Sequence, residues 1–105
     1  MISMSVCPYV ETTFQILGKK WSAMIIHYVY SCEKHQTNFT DIKHNISNIT
    51  PRALSLRLSE LVDYKILCHS EHNGHPTYRL TKQGIELAKA FEPIQHWGSE
   101  YLKVN

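Results

Sequence analysis

Two arginines and two serines lie within one short stretch of this chain, and their side chains could bind the phosphates and base edges of a nucleic acid. The guanidinium groups of Arg52 and Arg57 can form paired hydrogen bonds with phosphate or guanine. Ser55 and Ser59 add hydroxyl groups beside them. At about 100° per residue, one side of a helix holds Arg52, Leu56, Ser59 and Asp63, and its flanks hold Ser55 and Arg57. The stretch therefore predicts a helix with one side free to make contacts.

The other side of this predicted reading helix is apolar and should anchor it in a core. Its anchoring residues are Leu54, Leu58, Leu61 and Val62. Thr50 can accept a hydrogen bond from an amide of the first turn, and Pro51 suits the first helical position, where no N–H is needed. The start of the helix is therefore well defined, and Thr50 joins the residues expected beside a bound nucleic acid.

Shorter elements precede the reading helix and must position it. A first helix is predicted from Pro8 to Leu17. A second is predicted from Lys20 to Ser31, and its apolar residues surround the axis so broadly that it should be a buried central helix. Asn38 can cap a short third helix before a polar turn at residues 45–48. The middle of the chain therefore predicts a helix-turn-helix.

After the reading helix the pattern changes to short strands. Residues 66–72 and 77–80 are typical of strands and flank Asn73-Gly74, a dipeptide suited to a tight hairpin. Thr81 can then cap one long last helix, which Pro93 should bend. The expected fold is mainly α, with a small two-stranded β wing.

Length and charge limit what the chain can be. Its 105 residues fit one domain, 1–105, which is small for a sheltered catalytic site. The net charge of +2 is modest, but residues 34–57 hold four lysines and arginines against one acidic residue. Lys20 and Lys43 are expected to contact phosphates, since such contacts position a protein on DNA without reading its sequence.

Several classes of protein are not expected from this sequence. No apolar run is long enough to span a membrane and no signal peptide precedes Cys7, so we expect a cytoplasmic protein with reduced cysteines. Nothing orders Cys7 and the seven histidines into a catalytic motif, and we expect neither enzymatic activity nor a cofactor. The spacing of His69, His72 and His75 alternates between the two faces of a strand, so a metal site is not expected either.

Cys7 is the thiol best placed to react. Pro8 follows it, which suggests that the sulfur lies beside a helix N-terminus, where partial positive charge stabilises a thiolate. The alternative is a buried, unreactive cysteine. Cys32 and Cys68 are more typical of packing residues, although either could form a disulfide with an oxidised Cys7, and Cys32 is kept as a second candidate for sensing.

Six motifs, in order along the chain, resemble signatures of the HxlR family of bacterial transcriptional regulators, which are relatives of the MarR type. They are Cys7-Pro8, Gly18-Lys19-Lys20-Trp21, residues 38–42, residues 49–61, residues 78–84 and Trp97-Gly98. The resemblance implies a winged helix-turn-helix that dimerises through its terminal helices. Two reading helices would then enter successive major grooves of a pseudo-palindromic operator.

The resemblance also implies a function. It suggests a DNA-binding regulator, and a repressor in particular. Family members that sense quinones, aldehydes, hypochlorite or disulfide stress use a cysteine at the position of Cys7, so a thiol-reactive effector is expected. A non-covalent inducer bound among aromatic side chains is one alternative. A winged-helix module that binds protein instead of DNA is another.

The wing is expected to take part in binding, and the chain departs from the family pattern at two positions. His75 and Arg79 are expected to contact the neighbouring minor groove or its phosphates. Leu56 stands where the family often has a polar residue facing the bases, so an apolar contact with a thymine methyl group is expected there. Lys19 replaces the second glycine of a common Gly-Gly-Lys-Trp pattern and is either a phosphate contact or a solvated lysine.

Overall fold

The computed structural model describes residues 6–104, apart from the side chain of His72. In chain order its helices are α1 (Pro8–Leu17), α2 (Ser22–Ser31), α3 (Phe39–Asn45), α4 (Pro51–Asp63), α5 (Lys82–Lys89) and α6 (Phe91–Tyr101). The strands are β1 (Gln36–Asn38), β2 (Leu67–His72) and β3 (His75–Leu80), and a 3₁₀ turn, Glu33–His35, precedes β1. The predicted fold, a helix-turn-helix followed by a hairpin in a mainly helical chain, is confirmed.

The sheet has three strands, so the prediction of a two-stranded wing was incomplete. β3 lies in the middle, antiparallel to β1 on one side and to β2 on the other. The backbone of Thr37 pairs with Tyr78, which also pairs with His69 of β2. β1 is only three polar residues long and lacks the apolar alternation that marks a strand in sequence. It forms because the free edge of β3 offers unpaired backbone groups.

The core lies between α2, α4 and the inner face of the sheet. Its largest buried side chains are Ile25, Ile26, Val29, Ile42, Ile49, Leu54, Leu58, Leu61 and Leu67. The central position of α2 is confirmed, but the helix begins at Ser22 because Trp21 has a positive φ of 82°. Met24 is 51% exposed, so the expectation that α2 is buried all around is wrong on that side.

The predicted single last helix is wrong, since the chain breaks at Ala90 into α5 and α6. Pro93 has no N–H, and inside a continuous helix it would clash with the carbonyl of Lys89. Starting a new helix at Phe91 places Pro93 in a first turn, where its missing N–H loses nothing. Thr81 caps α5 as predicted, because its side chain accepts a hydrogen bond from the N–H of Gly84.

Candidate nucleic-acid interface

The start of α4 is built as the sequence predicts. The side-chain oxygen of Thr50 accepts a hydrogen bond from the N–H of Ala53, at 3.1 Å, and Pro51 occupies the first helical position. Because the Thr50 oxygen already serves this cap, its structural role is established by geometry. Its expected contact with DNA stays a prediction.

The two sides of α4 differ as the helical periodicity predicts. Leu54, Leu58 and Leu61 are buried in the core, and Val62 is half-buried beside them. The outward side carries four exposed residues, Arg52, Ser55, Leu56 and Ser59, ahead of exposed Asp63 at the end of the helix. Leu56 is an apolar residue on this polar face and is 53% exposed. We call these four residues the reading face.

The side chain of Arg57, on the flank of α4, points toward the protein and not toward solvent. Its Nη1 donates to Oε1 of Glu60 at 2.6 Å, and its Nε donates to the carbonyl of Lys20 at 3.0 Å. The other oxygen of Glu60 accepts from Nζ of Lys19 at 2.8 Å. Only 21% of the Arg57 side chain is exposed. Its expected DNA contact stays a prediction, but its guanidinium is engaged inside the molecule.

These contacts hold Glu60 in its charged form. The hydrogen bond from Lys19, followed by that from Arg57, lowers the pKa of the Glu60 carboxyl below its ordinary value of 4.5, against an opposing effect of burial. Glu60 was not among the predicted residues. Its spacing of three from Arg57 was an available local signal, but Lys19 lies 41 positions away in sequence.

The two lysines expected on phosphates lie on separate elements. Lys20 is exposed in the link between α1 and α2, with its ammonium 4.8 Å from the ring centroid of Trp21. Lys43 is half-buried in the last turn of α3. Among residues 6–104 neither lysine takes part in a salt bridge, so both charges can meet a polyanion. The phosphate contacts themselves stay predictions.

The wing contributes two residues that sequence analysis did not assign to the interface. His69 and Tyr78 stack across the hairpin, with ring centroids 4.7 Å apart and planes within 9° of parallel. They line a groove of about 320 Å³ together with Ser55 and Ser59 of the reading face and with the acidic residue Asp63. The alternation of side chains along a strand was the available signal, but it needed the hairpin register before it could be used.

Arg79 lies on the other face of the sheet. It is the neighbour of Tyr78 in β3 and pairs with Cys68, so its side chain points away from α4. Its Nη2 donates to the sulfur of Cys68 at 3.3 Å. It lines a separate groove with Lys34, Lys82 and Lys89. The predicted contact of Arg79 with operator DNA is therefore not supported by its orientation, and it stays a prediction.

His75 lies where the wing tip approaches α3. It is exposed and lines a groove of about 510 Å³ with Asn38, Thr40 and His44. In the described part of the chain no group of three or more histidines, cysteines and carboxylates could hold a metal ion. The groove lies next to the helix-turn-helix and has both polar and apolar residues in its lining.

A small polar network fixes α3 against α2. The Tyr28 hydroxyl donates to Oδ2 of Asp41 at 2.8 Å, and Thr37 donates to the same oxygen at 2.5 Å. The hydrogen bond to Asp41 is the largest cause of a raised pKa for Tyr28. Asn38 caps α3 as predicted, accepting from the N–H of Asp41 at 2.7 Å. The first helix of the motif is thus held by side chains from two other elements, α2 and β1.

The three cysteines are free and differ in accessibility. Cys7 is exposed and is the N-cap residue of α1, as the Cys7-Pro8 pair predicts. Cys32 is half-buried, and its sulfur donates to the carbonyl of Tyr28 at 3.2 Å. Burial raises the pKa of the Cys32 thiol, which disfavours its thiolate. Cys7 is therefore the more accessible of the two candidate sensing cysteines.

The terminal helices present apolar side chains outward. Among the described residues neither α1 nor α6 has a buried residue, and no described helix is both long and apolar enough to cross a membrane. The large exposed residues of this apolar surface are Tyr9, Val10, Phe14, Met24, Ile94, Trp97 and Tyr101. A crevice of about 420 Å³ opens within it, lined by α1, α2 and α6. These exposed apolar side chains are not part of the core.

Comparisons with known proteins agree on one family. The profile of the HxlR-like helix-turn-helix family matches residues 16–105. The transcriptional regulator YodB of Bacillus subtilis is 31% identical over 102 residues, which cover 94% of this chain and 88% of YodB. The uncharacterised regulator YdeP of the same organism is 30% identical over 98 residues, which cover 90% of this chain and 73% of YdeP.

Solved structures give the same result. The reduced form of YodB has a TM-score of 0.79 and 28% identity, covering 94% of this chain and 97% of YodB. The quinone-bound form of YodB also has a TM-score of 0.79, with 30% identity over 91% of this chain and all of that structure. The oxidised form of the redox regulator HypR has a TM-score of 0.80 and 26% identity, covering 93% of this chain and all of HypR.

Proposed function

This chain belongs to the HxlR family of helix-turn-helix transcriptional regulators, which are DNA-binding proteins and not enzymes, and from this premise we propose that it is a dimeric repressor. It binds a pseudo-palindromic operator in the cytoplasm and releases it when Cys7 is alkylated or oxidised. The known relatives are DNA-binding regulators, which favours operator binding over a module that binds only protein.

The reading face carries the proposal of sequence-specific binding. It places a guanidinium, two hydroxyls and an apolar side chain on the exposed side of a helix whose other side is fixed in the core. Arg52 suits the acceptor edge of guanine, and Leu56 suits the methyl group of thymine. The groove shared with His69 and Tyr78 extends the same surface onto the wing.

The apolar surface on α1 and α6 supports the homodimer. Side chains such as Phe14, Ile94 and Trp97 are each more than half exposed, and a second copy of the chain would cover them. A two-fold axis through this surface would present two reading faces to successive major grooves, about one turn of DNA apart. The operator would then have matching half-sites.

Cys7 is proposed as the sensor because it is exposed and adjoins the apolar surface. The thiolate can add to a ring carbon of a quinone. The new S–C bond takes its electron pair from sulfur, the ring C=C pair shifts toward the carbonyl carbon, and the C=O pair moves to the oxygen, which takes up a proton. Transfer of the hydrogen from the attacked ring carbon, as a proton, to the second quinone oxygen then gives the hydroquinone thioether. The bulky thioether at the start of α1 would shift the packing of the two subunits. YodB in its quinone-bound form is a structural relative of this chain.

A binding measurement on a fragment of the chain's own promoter region tests the proposal. We expect specific binding that is lost on treatment with a quinone, and a Cys7→Ser variant that binds but is no longer released. Cys32→Ser is the matched control and should be released like the unmodified protein. If Cys7→Ser is still released normally, the covalent mechanism is wrong.

The apolar crevice supports a second candidate, a non-covalent aromatic inducer. Phe14, Met24 and Phe91 line it, and few polar groups face it. A flat aromatic molecule bound there would also disturb the packing between subunits. Release of DNA from Cys7→Ser by an aromatic compound that cannot react with thiols would favour this candidate.

A further inference from the structure

One carboxylate ties the second half of α4 to the link between α1 and α2. Glu60 accepts from Arg57 with one oxygen and from Lys19 with the other, at 2.6 and 2.8 Å. Arg57 also donates to the carbonyl of Lys20, at 3.0 Å. We call the side chains of Lys19, Arg57 and Glu60 the brace. It joins two segments about 40 positions apart in sequence.

The brace is partly shielded from water. The side chains of Arg57 and Glu60 are 21% and 25% exposed, whereas Lys19 is 43% exposed. A single exposed ion pair contributes little to stability, but a carboxylate shared by two cations in a partly buried network is screened less. Arg57 is held at two of its nitrogens, which fixes the direction of its guanidinium.

The link that receives the brace has a constrained backbone. The N–H of Gly18 donates to the carbonyl of Phe14 at 2.7 Å, and a Cβ added at Gly18 would lie only 2.6 Å from that oxygen. The backbone of Trp21 has a positive φ of 82°, a conformation that residues other than glycine rarely adopt. The backbone of the link is therefore restricted in conformation. The link directly follows α1, whose N-cap residue is Cys7.

We propose that Arg57, Glu60 and Lys19 are positioning residues for DNA recognition, which hold the reading face at a fixed angle to the α1–α2 link. The proposal rests on operator binding, and it gives Arg57 a role other than contact with a base. To reach DNA, Arg57 would have to give up two hydrogen bonds, whereas Arg52 is already exposed. A displacement of α1 would move the α1–α2 link, and the brace would transmit that movement to α4.

A Glu60 variant distinguishes a positioning role of the brace from a purely electrostatic effect on DNA, because the two predict opposite changes in operator affinity. A carboxylate on a DNA-binding helix repels phosphates, so removing its charge should strengthen binding if nothing else changes. Loss of the brace should weaken binding instead, because the reading face would no longer be held in place. We therefore expect Glu60→Gln to lower operator affinity by about 2- to 30-fold.

Operator affinity measured at several salt concentrations tests the brace. Arg57→Gln should also lower the affinity, with an unchanged salt slope and unchanged base preference. The double variant should lose less affinity than the sum of the two single losses, since both single variants lose the contact between Arg57 and Glu60. Glu86→Gln is the control, because it removes an exposed carboxylate from α5 without touching the brace. Thermal unfolding verifies that each variant folds.

Two results would overturn the proposal. One is an unchanged or higher affinity of Glu60→Gln. The other is a salt slope that falls by about one unit in Arg57→Gln, as loss of a phosphate contact requires. If the unmodified protein binds no operator, the proposed function fails, and the brace is judged by amide exchange at residues 18–21. Faster exchange there in Glu60→Gln than in Glu86→Gln supports it, and equal exchange refutes it.

Discussion

The hydroxyl of Tyr28 on α2 donates a 2.8 Å hydrogen bond to the carboxylate of Asp41 on α3. The same carboxylate accepts from Thr37 of β1 and from the side-chain amide of Asn45. One acidic side chain therefore joins the central helix, the edge strand and the first helix of the helix-turn-helix. The network therefore fixes α3, the helix that precedes the turn into α4, against α2 and β1.

Replacing Tyr28 by Phe should lower the free energy of unfolding by about 1–2 kcal/mol, because it removes a hydrogen bond to a charged acceptor. Urea denaturation measures this. Tyr30→Phe is the matched control, since its hydroxyl makes only a 3.3 Å contact to exposed Glu92, and it should change stability less than Tyr28→Phe does. Equal losses in the two variants would contradict a special role for Asp41.

The lowered pKa of Glu60 predicts a loss of stability in acid. A carboxyl with a lower pKa in the folded state stabilises the fold above its ordinary value of 4.5, and this contribution disappears as the pH falls through the folded-state pKa. Glu60→Gln should therefore be less stable than the unmodified protein at about pH 7, and the difference should shrink toward about pH 3. Urea denaturation across this range gives the difference, and one that does not depend on pH would show that the ion pairs contribute nothing.

Arg52 lies on the reading face, whereas Arg79 lies on the face of the wing that points away from α4, so the two arginines can be compared. Arg52→Ala should weaken discrimination between bases by roughly 1–3 kcal/mol at one position of each half-site. Arg79→Ala should leave base preference unchanged, because its side chain points away from α4. Competition binding against operators with single base changes measures both. Loss of discrimination in Arg79→Ala would instead place the outer face of the wing against the bases.

Local features of this structure were readable from sequence, whereas contacts between distant segments were not. Thr50 and Pro51 mark the start of α4, and the helical period separates its anchoring leucines from the reading face. The brace could not be predicted, since Arg57 fits the outward flank of an isolated helix as well as an inward contact. Only the placement of the Lys19–Lys20 link decides between them.

The sheet and the last helices show the same limit. β1 has no strand-like pattern of its own and exists because β3 lies beside it. The period of residues 82–101 predicts one helix, and Pro93 indicates a bend, but the choice of Ala90 as the break depends on how α5 packs under the sheet and α2. Such choices are made by tertiary contacts, which a single sequence does not contain.

Disrupting the apolar surface should separate the proposed dimer. Trp97 and Tyr101 lie side by side on α6, with ring centroids 5.7 Å apart, and both are more than half exposed. Trp97→Glu would place a charge in the centre of a covered interface, where burial without a partner is costly. Light scattering should then give the mass of one chain, and operator affinity should fall because two half-sites can no longer be bound together.

Tyr64→Glu is the control for this effect. Tyr64 is also a large exposed side chain, 46% exposed, but it lies at the end of α4 and outside the apolar surface. It should leave the mass of the dimer unchanged. A dimer that persists in Trp97→Glu, or one that is lost equally in both variants, would show that the subunits do not meet through α6.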